Sequence, residues 1–280
     1  MATIAEGKTI AGKLLKKLKD QIRSLGLHPH LAVVLVGDDR PSETYVRKKQ
    51  EAALSIGVKF SLYKFPNSIS EGKLIAEIKK IQKQNLSGII VQLPLPKNLD
   101  KKKVLNALDP LIDVDFLTWE SLGKLVIAEN ILTPPSPGAI LEILKYYKID
   151  LRGKHIVLVG QGDLIGRPLT NLLIHMPVTL TTCNKDTRNL RKITLIADIL
   201  ISGVGKAKLI KANMIKKGAI VIDAGVSFKG KKMHGDVDFQ NVAKTASLIT
   251  PTPGGVGPIT VAKLLENVVA NEISKRNPKH

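Results

Sequence analysis

The amino-acid sequence predicts an α/β chain of two βαβ lobes with a cleft between them. Two observations carry this expectation. Short β-branched runs alternate with helix-period stretches along nearly the whole chain, and the alternation falls into two series separated by a proline-rich segment. In the first series Ile10, Leu14, Leu18 and Ile22 recur every four residues, which predicts a helix with one buried face. Residues 31–36 form an apolar run ending at Gly37 and read as a buried strand. A helix over 42–56 is stopped by Gly57. Val58, Phe60 and Leu62 alternate with polar residues as in a strand, and Ser70 caps a helix carrying Leu74, Ile75, Ile78 and Ile81. Residues 88–91 are a third buried strand leading into Gln-Leu-Pro-Leu-Pro (92–96). The segment Thr-Pro-Pro-Ser-Pro (133–137) and a helix over 138–147 separate the series. The second series has strands at 155–159, 178–182, 198–202 and 219–223. One long helix over 259–274 closes the chain, with Val261, Leu264, Leu265, Val268 and Val269 on its apolar side. The expected domains are residues 1–137 together with 258–280, the last helix packing back on the first lobe, and residues 138–257.

At 280 residues the chain can bury a sizeable core, and 44% apolar with 24% charged residues is ordinary for a globular protein. The longest apolar stretches are far too short to span a bilayer. The N terminus lacks a signal-peptide core, which makes the cytoplasm the economical location. The single cysteine, Cys183, rules out an internal disulfide and a cysteine-based metal site. The unusual quantity is charge: 43 Lys and Arg against 24 Asp and Glu leave a formal net charge of +19. A nucleic-acid binder is one reading. The lysines, however, are spread along amphipathic stretches, and one Trp, four Tyr and five Phe offer little for stacking bases, which favours a solvated surface. A positive field that draws in anionic small molecules is a third reading.

The chemistry-bearing residues begin at Gly-Gln-Gly-Asp-Leu-Ile-Gly-Arg-Pro (160–168), directly after the strand 155–159. A strand running into a glycine-rich turn and then a helix presents free N–H groups and a positive dipole end to a pyrophosphate. Gly160 allows the tight turn and Gly166 the close approach of the helix, although the spacing from Gly162 to Gly166 is one residue longer than in G-x-G-x-x-G. The second lobe is therefore expected to be a Rossmann-type dinucleotide-binding domain, with Gly160, Gln161, Gly162, Asp163, Gly166, Arg167, Lys185 and Thr187 on the cofactor side. The next strand ends at Cys-Asn-Lys-Asp (183–186), where such folds read the ribose. Asp186 suits the free 2′-OH of NAD, whereas Lys185, helped by Arg188 or Arg191, suits the 2′-phosphate of NADP. Both readings stay open at this point. In the first lobe Tyr45 and Lys49 share one helix face. Gln92 is a polar amide at the end of a buried strand, where α/β folds place ligand contacts. Asp113 and Asp115 form a carboxylate pair near a loop. Gly254-Gly-Val-Gly-Pro (254–258) precedes the last helix as a loop whose amides can approach a ligand. No carboxylate or histidine cluster suggests a metal.

Taken in order, these pieces resemble the bifunctional methylenetetrahydrofolate dehydrogenase/methenyltetrahydrofolate cyclohydrolase family over nearly the whole chain. The resemblance runs through Glu-Gly-Lys-Thr-Ile-Ala (6–11), Tyr45 with Lys49, Val-Gln-Leu-Pro-Leu-Pro (91–96), Asp-Val-Asp (113–115), the 160–168 loop, Ile-Ser-Gly-Val-Gly-Lys (201–206), Gly-Asp-Val (235–237) and Pro-Gly-Gly-Val-Gly-Pro (253–258). It implies that Lys49 is the catalytic lysine, that Tyr45 packs beside the folate, that Gln92 orients the lysine and that Asp115 grips the pterin. Gly255 and Pro258 complete the substrate-binding set. The implied chemistry oxidises methylenetetrahydrofolate with NADP, NAD being possible, and hydrolyses the methenyl product to 10-formyltetrahydrofolate. A lysine beside a cationic ligand has its charged form disfavoured and can act as a general base. The resemblance also implies a homodimer acting on tetrahydrofolate derivatives, with no membrane and no specific nucleic-acid partner. A dehydrogenase without the hydrolase, an NAD-specific form, and a basic nucleic-acid-binding protein that kept the fold are the alternatives. The sequence departs from the family pattern at Phe116, where glycine is usual, at Pro-Ser-Pro-Gly-Ala (135–139), and at Gln161 and Gly162.

Overall fold

The computed structural model describes residues 1–128, 132–230 and 232–276. In chain order the strands are β1 (Thr3–Ile4), β2 (His30–Val36), β3 (Lys59–Phe65), β4 (Gly88–Val91), β5 (His155–Val159), β6 (Thr179–Cys183), β7 (Ile199–Ser202), β8 (Ile220–Asp223), β9 (Ser227–Lys229), β10 (Lys232–His234) and β11 (Leu248–Ile249). The helices are α1 (Gly7–Ser24), α2 (Arg40–Ser55), α3 (Glu71–Ile81), α4 (Lys101–Leu105), α5 (Trp119–Val126), α6 (Pro135–Tyr146), α7 (Gly166–Leu173), α8 (Leu190–Thr194), α9 (Phe239–Val242) and α10 (Val256–Arg276). Two compact units result, one of Gly12–Pro135 with the chain from Val261, the other of Met1–Ala11 with Ser136–Thr260. No helix among the described residues is long and apolar enough to cross a membrane.

The first unit is built on a three-stranded sheet of order β3-β2-β4, parallel throughout. All seven residues of the central strand β2 are buried, which is why it reads as an unbroken apolar run instead of an alternation. Its side chains still divide by face. Leu31, Val33 and Leu35 pack with Leu18, Ile22, Leu264 and Val268, while Ala32, Val34 and Val36 pack with Leu74, Ile78 and Ile89. Helices therefore cover both faces, α1, α2 and α10 on one and α3 on the other. Helix α2 begins at Arg40, earlier than the expected 42, because Asp39 caps it: its carboxylate accepts the Ser42 N–H at 2.9 Å and the Ser42 hydroxyl at 2.7 Å. Ser70 does sit at the N-cap of α3, but its hydroxyl makes no capping bond; Glu71 in the first turn complements the helix dipole instead. Beyond its apolar face, α10 is fastened by polar contacts. Asn271 Nδ2 donates to Ser87 O and Leu111 O at 3.1 and 3.0 Å, and the Ser87 hydroxyl donates to Glu272 at 2.7 Å.

The second unit holds a parallel six-stranded sheet of order β1-β11-β8-β7-β5-β6. The expected division assigned residues 1–137 as one block, and here the structure differs: Thr3 and Ile4 pair with Leu248 and Ile249, which draws Met1–Ala11 into the six-stranded unit. A two-residue strand is too short to show a period, so nothing in its pattern announced it. The same holds for β11 and for the three-residue strands β9 and β10, which pair antiparallel as a separate hairpin. The strand expected at 178–182 is displaced by one residue to Thr179–Cys183.

A close approach in the three-stranded unit gives a stability test. A Cβ placed on Gly88 of β4 would lie 2.7 and 2.9 Å from the two methyls of Val114 and 3.1 Å from Val268 on α10. Gly88→Ala should lower the unfolding free energy by about 1–3 kcal/mol, the usual range for overpacking a filled core. A urea denaturation midpoint equal to that of the wild type would show that the core there yields freely.

Candidate active site

In a parallel sheet, ligands bind beyond the carboxyl ends of the strands, where the strand order reverses. In the three-stranded unit that reversal is at β2. Strand β2 leads into α2, which carries Tyr45 and Lys49 one turn apart, and β4 leads directly into Gln92. The Gln92 N–H donates to Val34 O at 2.8 Å and so extends the β2–β4 ladder by one rung. Its side-chain Nε2 donates to Leu93 O at 2.8 Å. A carbonyl only accepts, so this contact assigns the orientation of the amide and turns Oε1 outward. That oxygen accepts a hydrogen bond from Lys49 Nζ at 3.0 Å. Two residues 43 positions apart are thereby joined at one sheet edge.

The two aspartates separate in role. Asp113 is buried, forms an isolated parallel bridge with Ile89, and accepts the N–H groups of Leu117 and Thr118 at 2.9 and 2.8 Å. It builds the turn. Asp115 keeps solvent contact. Phe116, at the position where the family pattern has glycine, has φ of 59° and is 5% exposed. It takes the left-handed conformation that glycine adopts freely, at a cost of ~1–2 kcal/mol that burying a phenyl ring, worth about 1.5–3 kcal/mol, offsets. Asn267 of α10 holds this segment from behind, donating from Nδ2 to Val114 O at 3.0 Å and Thr133 O at 2.9 Å.

Lys49 and Asp115 each keep some solvent contact, but protein atoms crowd their charged ends. Burial holds the Lys49 ammonium below the usual lysine range, against the opposing pull of the Asp115 charge. Burial pushes the Asp115 carboxyl up, with Lys49 pulling it down and Asp113 adding to the rise. Burial likewise raises the Tyr45 phenol. The Lys48 ammonium stands 5.9 Å from the centre of the Tyr45 ring. The arrangement is a lysine biased toward its neutral form, held by an uncharged amide, with a carboxylate acting on it through space.

In the six-stranded unit the order reverses at β5, which runs into the glycine turn. Gly160 has φ of 109°, and a Cβ on Gly166 would collide with the Gly160 carbonyl oxygen, so both glycines are required by the backbone path. The Gly162 carbonyl accepts the Arg167 N–H at 3.1 Å, and α7 follows. This compact turn with a helix start behind it fits a pyrophosphate. Gln161 ties the turn to the end of β6: its Nε2 donates to the Thr182 hydroxyl at 2.9 Å, and its Oε1 accepts from Asn184 Nδ2 at 3.3 Å. Asn184, which sequence reasoning passed over, is thus a junction; its signal is the one that marked Gln92, a polar residue just past a strand end. The Thr187 hydroxyl accepts the Asn184 N–H at 2.8 Å and shapes the 184–187 loop, while Lys185 and Asp186 are exposed. Arg167 pairs with Asp163 at 3.0 Å. Gly255 is buried and Pro258 half-buried at the start of α10, and both lie in this unit, not in the one that carries Lys49. The Gly7 N–H donates to Gly254 O at 2.8 Å, so the 254–258 loop is packed on the start of α1.

Fold and geometry together define an α/β protein with a dinucleotide-type turn in one unit and a lysine–amide pair at the sheet edge of the other. A family model described as the catalytic domain of tetrahydrofolate dehydrogenase/cyclohydrolase matches residues 5–115, and one described as its NAD(P)-binding domain matches residues 134–276. The chain belongs to the tetrahydrofolate dehydrogenase/cyclohydrolase family. A bifunctional protein FolD of Nautilia profundicola is 44% identical over 95% of this chain and 96% of its own length. The crystal structure of the FolD methylenetetrahydrofolate dehydrogenase/cyclohydrolase of Campylobacter jejuni is similar at a TM-score of 0.94 and 36% identity, covering 98% of this chain and 100% of that one. That of Trypanosoma brucei, solved with NADP and an inhibitor, is similar at 0.94 and 31%, covering 99% of each chain.

The direction of the Lys49 shift sets a pH test. Between its depressed value in the folded chain and the 10.5 of an ordinary lysine, the unfolded chain holds more protons, so this residue's contribution to stability rises with pH. Across that window wild type should gain stability relative to Lys49→Met in chemical denaturation. A difference that stays flat with pH would mean that the ammonium is not depressed.

Proposed function

We propose that this chain oxidises methylenetetrahydrofolate to the methenyl cation with NADP and hydrolyses the cation to 10-formyltetrahydrofolate, with Lys49 as the base of the second step. The hydrogen bond from Lys49 to Gln92 carries this reading, because the amide is already committed to Leu93 O and offers the lysine only an acceptor. A neutral amine has two N–H bonds and one lone pair. With one N–H spent on Gln92 Oε1, the lone pair is directed away from the amide and toward a water. Proton removal by Lys49 as that water adds to the methenyl carbon gives a neutral carbinolamine and a lysine ammonium. As the hydroxyl then loses its proton to become the formyl C=O, the carbon–N5 bond breaks and N5 takes up a proton, leaving one proton released overall. A cationic substrate lowers the lysine further, in the direction that burial already sets. Asp115 accepts two pterin N–H donors at once, and the half-buried Tyr45 packs beside the folate.

When bound, the nicotinamide takes the hydride from the one-carbon unit. The turn at Gly160, Gln161, Gly162 and Gly166 holds the pyrophosphate with backbone N–H groups. With the Arg167 charge shared with Asp163, the exposed Lys185, with Arg188 exposed in the same segment, is a cation suited to a 2′-phosphate, which favours NADP.

Two substitutions test these assignments. Lys49→Met should slow methenyl hydrolysis by at least about a hundredfold, within the range a general base contributes, while folate binding stays measurable. Hydrolysis near the wild-type rate would refute the role. Lys185→Ala should raise KM for NADP roughly tenfold, the loss of one charge-assisted contact, with a much smaller change for NAD. Equal effects on both would leave the cofactor choice to Asp186.

A further inference from the structure

Asp236 takes no part in the chemistry above, yet it is fully buried and both of its carboxylate oxygens are engaged. Oδ2 accepts the Ser202 hydroxyl at 2.8 Å and the Val204 N–H at 2.7 Å, and Oδ1 accepts the Lys206 N–H at 2.8 Å. All three donors belong to residues 202–206, the end of β7 and the loop beyond it. A second carboxylate supports the first. Asp223, at the end of β8, accepts the N–H groups of Asp236 and Val237, each at 3.0 Å. Burial, with a smaller contribution from the Asp236 charge, pushes Asp223 up to about 6 against the pull of these amides. Two acids have been buried side by side where apolar residues would cost less.

What they hold explains the arrangement. The order β7-β5-β6 makes the gap between β5 and β7 the switch point of the sheet, and the loops after those two strands are its lips. One lip is the glycine turn at 160–165. The other, 203–206, rests on it: a Cβ on Gly160 would lie 2.7 Å from Gly203 O, and one on Gly203 would lie 3.1 Å from an Ile165 methyl. The Gly203 N–H donates to Val159 O at 2.9 Å, and beyond it the exposed Val204 and Lys206 have their N–H groups taken by the Asp236 carboxylate.

We infer that Asp236 is a positioning residue for the dinucleotide: by gripping the 203–206 loop it sets the width of the crevice and hence the affinity for the cofactor. This rests on the reading of the six-stranded unit as the cofactor site. The role needs a carboxylate. An asparagine presents an N–H₂ to donors on one side, whichever way it is turned, and pushes the loop away.

The test measures NADP and NAD dissociation constants by calorimetry, without folate, for wild type, Asp236→Asn and Ser202→Ala, with methenyl hydrolysis as a second readout. Asp236→Asn should weaken binding of the preferred dinucleotide roughly tenfold or more, and Ser202→Ala, which removes one of the three bonds, severalfold. Hydrolysis, which uses no dinucleotide, should stay within about twofold, whereas a merely structural residue would lower both readouts together with the folded fraction. Wild-type binding with unchanged constants in the variants overturns the positioning role alone, and loss of both readouts in proportion overturns it too. Should Asp236→Asn fail to fold, the Ser202→Ala constant decides by itself. If wild type binds neither dinucleotide, the cofactor reading falls and this inference with it.

Discussion

The last rung of the β2–β4 ladder, the 2.8 Å bond from the Gln92 N–H to Val34 O, is the contact on which the Lys49–Gln92 pair of the three-stranded unit depends. Parallel pairing forces β2 and β4 to end at the same sheet edge, and this bond continues the pairing one residue past the strand, into the side chain that meets Lys49. Without it the amide would sit on a free loop, and its second bond, to Leu93 O, would anchor it to nothing. With it, a backbone ladder decides which atom of a side-chain amide faces the lysine.

The buried charges follow two opposite policies. Asp113 and Asp236 each accept two backbone N–H groups, which makes each a fastener for a turn or loop; Asp223 accepts such groups too, but burial still pushes its carboxyl up to about 6. Lys49 has one neutral acceptor at 3.0 Å and a carboxylate acting on it through space, so its charge is under-compensated. The distinction is one of hydrogen-bond partners, and it sets the carboxylates that hold a turn or loop apart from the Lys49 amine.

Phe116 and α10 show how stability is spent around the site. Phe116, next to Asp115, takes a left-handed turn at the cost of backbone strain, and its buried ring offsets it. The C-terminal helix supplies core residues Leu264, Leu265, Val268 and Val269 and also Asn267, whose two donors hold Val114 and Thr133. A segment more than 100 residues away in the chain thus supports the aspartate loop.

Periodicity made most of the regular elements legible: the four-residue spacing of α1, the apolar runs of β2, β4 and β5, the glycine turn, and the polar residue that follows a buried strand. These are local signals, because a helix face or a strand interior writes its burial into a few adjacent residues. Ordered motifs likewise pointed to the family. Elements of two or three residues, such as β1, β9 and β11, left no such mark, since they exist only through the strands they pair with. The same limit applied to partners. Spacing placed Tyr45 and Lys49 on one helix face but named no partner for either, and it was the strand register that set Gln92 3.0 Å from the lysine amine. The sequence showed Asp113 and Asp115 as equivalent acids and Asp236 only as part of a motif. Which acid builds a turn, which meets solvent and which grips a loop depends on N–H groups delivered from other strands, and a one-dimensional pattern does not encode that delivery.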